Sequence, residues 1–163
     1  MRDVLNWLAT SSYAAWVNES GGWPIALVIH AFGVATVIGF MAIIGLRLMG
    51  RFRMIPYSSL RYLIPFIWIA VFFQFISGFT LWMTKPAQYL ADGMFEVKFT
   101  LVIIACIVMA YFHGTIRREA ADWDASGKVS PRGIKLVCAS CVLWAAVVIG
   151  GRLTAYLGSL YLQ

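Results

Sequence analysis

Charged residues are scarce in this chain. They make up 12% of its 163 residues, whereas 61% are hydrophobic and the mean hydropathy is +0.80. Soluble domains carry roughly 25% charged residues and about half apolar ones. The scarcity therefore excludes an ordinary water-soluble domain. Cysteines are also few: all three fall inside hydrophobic runs, so no disulfide framework is expected.

The stretches without charge are long. Residues 62–84 contain no Asp, Glu, Lys, Arg or His, and three further runs contain one such residue each. A spanning helix needs roughly 20 mainly apolar residues, and backbone in lipid satisfies its hydrogen bonds as helix. We therefore predict an all-α fold, a single membrane domain that is a four-transmembrane-helix bundle. The expected spans are residues 24–47, 62–84, 96–116 and 135–158.

The positive charge is concentrated in two short connections, residues 47–61 and 117–135. The net charge of +6 comes largely from these segments, so it does not indicate nucleic-acid binding. Basic short loops stay on the cytoplasmic side of a membrane. Both termini are therefore expected outside the cell, at the periplasmic face of a bacterial inner membrane that the chain crosses several times.

The N-terminal segment does not resemble a cleaved signal peptide. Asp3 and Asn6 interrupt any apolar core within residues 1–23. Its apolar residues instead predict a short amphipathic helix lying on the outer surface of the bilayer. This interfacial helix would end near residues 19–22, and Trp23 would anchor the first span at the interface.

Ionisable residues inside a membrane span are costly, so each is a candidate for function. His30, His113 and Arg152 are the three in this chain. His30 falls in the outer half of the first span, between the small residues Ala26 and Gly33. Those small residues leave room either for a haem macrocycle against the helix or for close helix packing. His30 is thus a candidate haem ligand or a buried histidine bonded to a neighbour.

His113 is expected one helical turn from the cytoplasmic surface, as a second candidate haem ligand or as a hydrated side chain. Arg152 falls in the outer half of the fourth span near the depth of His30, and Lys98 lies toward the same side. Arg152 and Lys98 are candidate cofactor-binding cations for a haem propionate or a quinone. Arg152 could instead pair with Glu19 or extend to the lipid headgroups.

The depths of the two histidines argue against one shared haem. His30 comes 17 residues before Arg47, whereas His113 comes 4 residues before Arg117. The difference corresponds to about 20 Å of helix. Three arrangements remain open: one haem completed by a ligand from a partner, two haems on opposite sides, or no haem with His30 and Arg152 lining a polar site.

Cys138 and Cys141 form a C-x-x-C pair at the cytoplasmic end of the fourth span. No histidine follows them, so they are not a c-type haem attachment site. Together with Met109 and Cys106, and with His113 close to the same depth, they are candidate ligands for Cu(I), which prefers soft ligands. A close helix contact lined by small residues is the alternative.

Short motifs spread over nearly the whole chain carry a resemblance. They are Glu19-Ser20, Trp23-Pro24, His30, Gly39, Leu46-Arg47, Gly50, Phe112-His113, Gly151-Arg152 and Ala155-Tyr156. With them the chain resembles a family of uncharacterised bacterial four-helix membrane proteins. More loosely, its layout is similar to small b-type cytochromes and to haem-bearing membrane anchors of respiratory dehydrogenases. That likeness implies electron transfer between haem b and a quinone or a periplasmic partner.

The leading hypothesis is an integral subunit of a redox system that binds haem b or lies beside a quinone site. Such a subunit is not catalytic alone; it receives electrons from another membrane or periplasmic subunit, or acts as a homodimer. One alternative is a non-catalytic anchor or assembly subunit. Another is a small transporter or a soft-metal-handling protein, although the spans lack the acidic residues that proton-coupled carriers use.

Overall fold

Helices make up almost all of the described chain. The computed structural model describes the backbone of residues 2–91 and 93–160; side chains are described for all of these except 2, 3, 5, 87, 88, 91, 94 and 153–160. The elements are α1 (Arg2–Ala9), α2 (Ser12–Glu19), α3 (Gly22–Leu48), a 3₁₀ helix (Tyr57–Tyr62), α4 (Ile64–Thr84), α5 (Pro86–Ala91), α6 (Gly93–Ser126) and α7 (Pro131–Leu160). No strand occurs among the described residues.

Four segments are long and apolar enough to cross a bilayer: Gly22–Leu48, Tyr57–Thr84, Phe95–Ser126 and Pro131–Arg152. The all-α four-span prediction is therefore confirmed. Large apolar side chains remain exposed along all four, including Phe32, Phe72, Ile107 and Val142. In a multi-pass membrane protein these side chains contact lipid, which carries no penalty for apolar exposure.

The four spans form an up-and-down bundle with two distinguishable ends. Helix α3 packs along α4 and along α7, and α6 packs along α7. We call the end that carries the connections 49–56 and 127–130 the basic end. The opposite end, where α1, α2 and α5 lie, is the terminal end. The two halves of the bundle are named accordingly.

The basic half contains a close-packed apolar core. Its fully buried side chains come from α3, the 3₁₀ helix, α4, α6 and α7, and include Met41, Ile44, Leu60, Ile67, Met109, Phe112 and Val137. In the terminal half, the buried residues of the described spans are mostly small or polar, and they include Gly22, Ala26, Gly33, Ser77, Thr80 and Thr84; Val147, near the middle of α7, is apolar. The large apolar side chains that hold the basic half together have no counterpart there.

Helix α6 continues well past the expected end of its span at residue 116. It reaches Ser126, so the connection expected at 117–135 is mostly helical. The extension is fixed on its inner face, because Trp123 is buried and Asp124 accepts hydrogen bonds from the backbone N–H groups of Tyr57 and Ser58 at 2.6 and 2.9 Å. Gly127, at φ +65°, then ends the helix.

One arginine of the basic end is buried. The guanidinium carbon of Arg47 lies 3.7 Å from the centre of the Tyr57 ring, and its Nε donates to the carbonyl oxygen of Ile55. The same tyrosine ring meets Trp123 edge-on, with 6.0 Å between ring centres. Arg47 therefore joins α3 to the 3₁₀ helix and α6, in addition to its charge on the basic side.

The N-terminal segment forms two short helices, where a single one was expected. Ser11 separates them in extended geometry; its hydroxyl donates to the carbonyl of Leu8 at 2.7 Å and accepts from the N–H of Ala14 at 3.2 Å. Such a serine begins a new helix rather than continuing the old one. Helix α2 is then attached to α4 by a hydrogen bond of 3.0 Å between the hydroxyls of Tyr13 and Thr80.

Candidate functional site

His30 is held by two side chains of the neighbouring helix α4. Its Nδ1 lies 3.1 Å from the hydroxyl of Ser77, and its Nε2 lies 3.1 Å from the amide nitrogen of Gln74. The Ser77 hydroxyl in turn donates to the carbonyl of Phe73 at 2.7 Å. The consistent assignment has Nδ1–H donating to Ser77 and Nε2 accepting from Gln74. His30 is then a neutral imidazole with both nitrogens engaged.

Glycines allow this close approach of α3 and α4. A Cβ atom built at Gly33 would lie 2.6 Å from Oε1 of Gln74 and 3.2 Å from the carbonyl oxygen of Ala70. One built at Gly78 would lie 3.2 Å from Cε1 of His30. The space beside His30 in which the sequence allowed a haem macrocycle is thus occupied by the Gln74 side chain.

Lys98 approaches the same region from α6. Its Cε would lie 3.3 Å from a Cβ atom built at Gly151 of α7, so the ammonium stem rests on that glycine. Like His30, it lies in the terminal half of the bundle. Among the side chains that the structure describes, no carboxylate pairs with Lys98. Within the described side chains, the positive charge of Lys98 in the terminal half therefore has no carboxylate partner.

These four side chains, His30, Gln74, Ser77 and Lys98, are called the His30 site. They come from three helices and supply hydrogen-bond donors, one cation and one free acceptor, Oε1 of Gln74, which is buried without a partner. No acidic side chain belongs to the site. This composition suits a ligand that presents oxygen acceptors or negative charge rather than a metal cation.

Arg152 lies outside this site. Its side chain is exposed at the terminal end of α7, while the preceding residue, Gly151, is the one that contacts Lys98. Of the two cations that the sequence indicated as cofactor-binding residues, Lys98 is thus partly buried in the terminal half of the bundle, whereas Arg152 is exposed.

His113 lies in the other half of the bundle. It is only 3% exposed, and its ring packs edge-on against Trp68 of α4 with 6.1 Å between ring centres. Neither ring nitrogen has a hydrogen-bond partner. Trp68 and Ser77, which contact His113 and His30 respectively, are nine positions apart on α4, or about 14 Å at 1.5 Å per residue. The two histidines therefore lie at different depths.

Haem b does not fit this arrangement at either histidine. An axial ligand needs a free nitrogen aimed at the iron, and both nitrogens of His30 are engaged with α4. His113 has free nitrogens but lies among the close-packed side chains of Met109 and Phe112, which are fully buried. Two surface grooves of the described residues, of about 420 and 590 Å³, are lined by other residues. Haem therefore remains a prediction from the sequence.

The soft-metal candidates are not gathered into a cluster. Cys138 is exposed on the surface of α7, whereas Cys141 is half-buried with its thiol 3.9 Å from the carbonyl oxygen of Met41. Met109 is fully buried on α6. Within the described part of the chain, no group of three or more His, Cys, Asp or Glu residues is placed to hold a metal ion. The geometry thus gives the Cu(I) alternative no support.

Two residues of the His30 site were not assigned to it from the sequence. In the sequence, Gln74 is only a hydrogen-bonding group in the middle of a span and Ser77 is only a small residue that allows close helix packing. A glutamine at the centre of a charge-free span is itself a signal, because its amide needs partners in lipid. The partner depends on how two helices are aligned, and the sequence does not state that alignment.

The fold and the site together define a multi-pass membrane protein with four spans and a polar site in its terminal half. Comparisons of the chain with protein-family models, with curated proteins and with solved structures found no match. The resemblance to bacterial four-helix membrane proteins therefore remains a prediction.

Proposed function

We propose that this protein is a membrane-embedded subunit of a redox system and that the His30 site binds the headgroup of a quinone. One observation carries the proposal. The Gln74 amide, which is bonded to His30, and the Lys98 ammonium come from α4 and α6 and lie in the half of the bundle whose described spans bury no large apolar side chain. Polar side chains at membrane depth are costly and mark ligand sites more often than chance would place them there.

A quinone matches the chemistry of the site. Its ring carries two carbonyl oxygens that accept hydrogen bonds, and its prenyl tail stays in the lipid. Lys98 would stabilise the negative charge that develops on a carbonyl oxygen as the ring is reduced. The two electrons come from a partner subunit and the two protons from water, so the chain itself supplies binding and orientation. The exposed phenylalanines of α4, Phe72, Phe73, Phe75 and Phe79, offer the tail an apolar surface.

The proposal includes an orientation. The basic connections support placing the basic end in the cytoplasm of a bacterium, with the terminal end and the His30 site toward the periplasm. The partner that delivers or removes electrons is then a periplasmic or membrane-bound redox subunit, or the second copy in a homodimer.

The binding test uses the purified protein in lipid nanodiscs with decylubiquinone as the probe. Quenching of tryptophan fluorescence gives the apparent Kd, and organic extraction gives the quinone that co-purifies. Lys98→Gln removes a charged hydrogen bond worth about 1.5–3 kcal/mol, so we expect binding to weaken at least about tenfold. Lys85→Gln, at an exposed lysine of the terminal end, is the matched control and should bind as the wild type does. Equal weakening by both changes, or no binding by the wild type, would contradict the proposal.

A visible spectrum separates quinone from haem. The quinone proposal expects no Soret band from this chain purified without its partners. A Soret band that disappears in His30→Ala would show that the site binds haem and not quinone. The hydrogen bond between His30 and Gln74 would then have to break.

A second function, a non-catalytic anchor subunit, is favoured by one specific observation. The bonds from His30 to Ser77 and Gln74 fasten α3 to α4, which a purely structural role would need as well. In that case the protein binds no quinone, and Lys98→Gln changes neither ligand content nor partner recovery.

A further inference from the structure

The basic half of the bundle buries four polar atoms that no protein group satisfies. They are Nδ1 and Nε2 of His113, the hydroxyl of Ser140 and Nε1 of Trp144. The exposed fractions of these three residues are 3%, 0% and 3%. Leaving a buried donor or acceptor unpaired forfeits the hydration that it had in water.

The register of α6 against α7 places these groups at similar depths. Trp123 lies against Gly133 near the basic end, and Lys98 lies against Gly151 near the terminal end. Interpolating between these two contacts along the antiparallel pair puts Ser140 level with His113. His113 and Ser140 thus share one level in the interior of the bundle, and Trp144 lies about one helical turn from Ser140 toward the terminal end.

The direction of helical side chains brings the groups nearer. Side chains lean toward the N-terminus of their own helix. On α6 that direction carries the His113 ring toward the terminal end, and on the antiparallel α7 it carries the Trp144 indole toward the basic end. Both rings therefore lean into the level between Ser140 and Trp144.

We infer that the basic half of the bundle contains an internal water site, in which one or a few ordered water molecules are bound by His113 at the depth of Ser140 and Trp144. More than about 90% of buried polar groups in proteins are paired with protein or with ordered water, and a buried water makes about three hydrogen bonds. An imidazole, a hydroxyl and an indole N–H supply both donors and acceptors, which water needs and a metal ion does not. The inference is independent of the proposed quinone site.

The test uses solid-state NMR on the full chain in liposomes with ¹⁵N-labelled histidine. The chain has only two histidines, so comparison with His30→Gln assigns the signals of His113. We expect hydrogen-bonded imidazole shifts for His113 and magnetisation transfer from water protons to its ring. Shifts of an unbonded or metal-bound imidazole, or the absence of transfer from water, would overturn the inference.

A pair of neighbouring substitutions gives the control. Ser140→Val removes a polar partner and fills space at this depth, so transfer from water to His113 should fall several-fold. Ala139→Val adds the same side chain at the adjacent exposed position of α7 and should leave the transfer unchanged. Unchanged transfer in Ser140→Val, with the protein folded, would also count against the site.

Discussion

The two histidines show how one residue type takes opposite environments in the same bundle. His30 has both ring nitrogens engaged, by Gln74 and Ser77, whereas His113 has neither nitrogen paired with protein. The difference follows from what faces them. Helix α4 presents an amide and a hydroxyl toward His30, but it presents the Trp68 ring toward His113. The hydrogen bonds of a histidine in a span thus depend on which side chains the neighbouring helix presents to it.

The bond between His30 and Gln74 can be measured by a double-mutant cycle. Each single change, His30→Leu or Gln74→Leu, leaves a buried polar group unpaired and should lower stability by about 1–3 kcal/mol. The double variant removes both partners and should lose clearly less than the sum of the two. Thermal unfolding in one detergent, followed by circular dichroism, gives the comparison. Strict additivity would mean that the two side chains do not interact.

Asp124 lies on the basic-end extension of α6, beyond the apolar part of its span. Its slight burial would raise the pKa of the carboxyl, but hydrogen bonds from Ser58 and Tyr57 and the charge of Arg47 outweigh this and lower the pKa below its usual range. A carboxyl with a lowered folded-state pKa adds stability above the unfolded pKa. That stability is lost as pH falls through the folded value.

We therefore expect Asp124→Asn to have a lower Tm than the wild type at pH 7, because the amide presents one acceptor oxygen where the carboxylate presents two. The difference should begin to shrink near the ordinary carboxyl pKa of about 4 and should continue to shrink below it. Melting curves of both proteins between pH 7 and pH 3 test this. A Tm difference that does not depend on pH would show that the charge of Asp124 is irrelevant.

At the scale of elements, the number and approximate positions of the spans could be predicted because the charge-free runs are long. The ends could not. Arg117-Arg118 suggested that helix α6 stops there, yet the following residues are good helix formers, and the buried faces of Ala120 and Trp123 hold them against the 3₁₀ helix. The division of the N-terminal segment into two helices at Ser11 was also not predicted. It depends on a single hydrogen bond, from the N–H of Ala14 to the hydroxyl of Ser11.

Two glycines on α3 give a matched test of how closely α3 and α4 pack. Gly33→Ala would place a Cβ atom 2.6 Å from Oε1 of Gln74 and 3.2 Å from a backbone carbonyl, so the Gln74 side chain must move away and α4 must shift by a few tenths of an ångström. We expect a loss of about 1–3 kcal/mol, typical of overpacking. Gly39→Ala meets nothing within 4 Å and should gain up to about 1 kcal/mol from helix propensity. Thermal unfolding of both variants decides the matter, and equal effects would contradict the close approach at Gly33.

At the scale of the whole molecule, the two halves of the bundle are built differently. The basic half is closed by apolar packing, by Arg47 on Tyr57 and by Asp124 on the 3₁₀ helix, while polar side chains and Lys98 occupy the terminal half. The sequence predicted His30 and Lys98 as candidates on one side, and the structure places both in the terminal half. The sequence also favoured Arg152, which lies exposed, since composition and spacing do not reveal which face of α7 meets its neighbours.

Because the two halves of the bundle differ, the orientation of the protein in the membrane determines on which side of the membrane the His30 site lies. We predict that both termini are periplasmic, because the connections 47–61 and 117–135 carry the excess of Lys and Arg. Alkaline phosphatase is active only outside the cytoplasm. Green fluorescent protein fluoresces only in the cytoplasm when its export is through the general secretory pathway. Phosphatase fused after Gln163 should therefore be active, and the fluorescent protein fused after Lys128 should be bright, with the reciprocal fusions as controls. The inverted pattern would place the His30 site on the cytoplasmic side and its electron donor there as well.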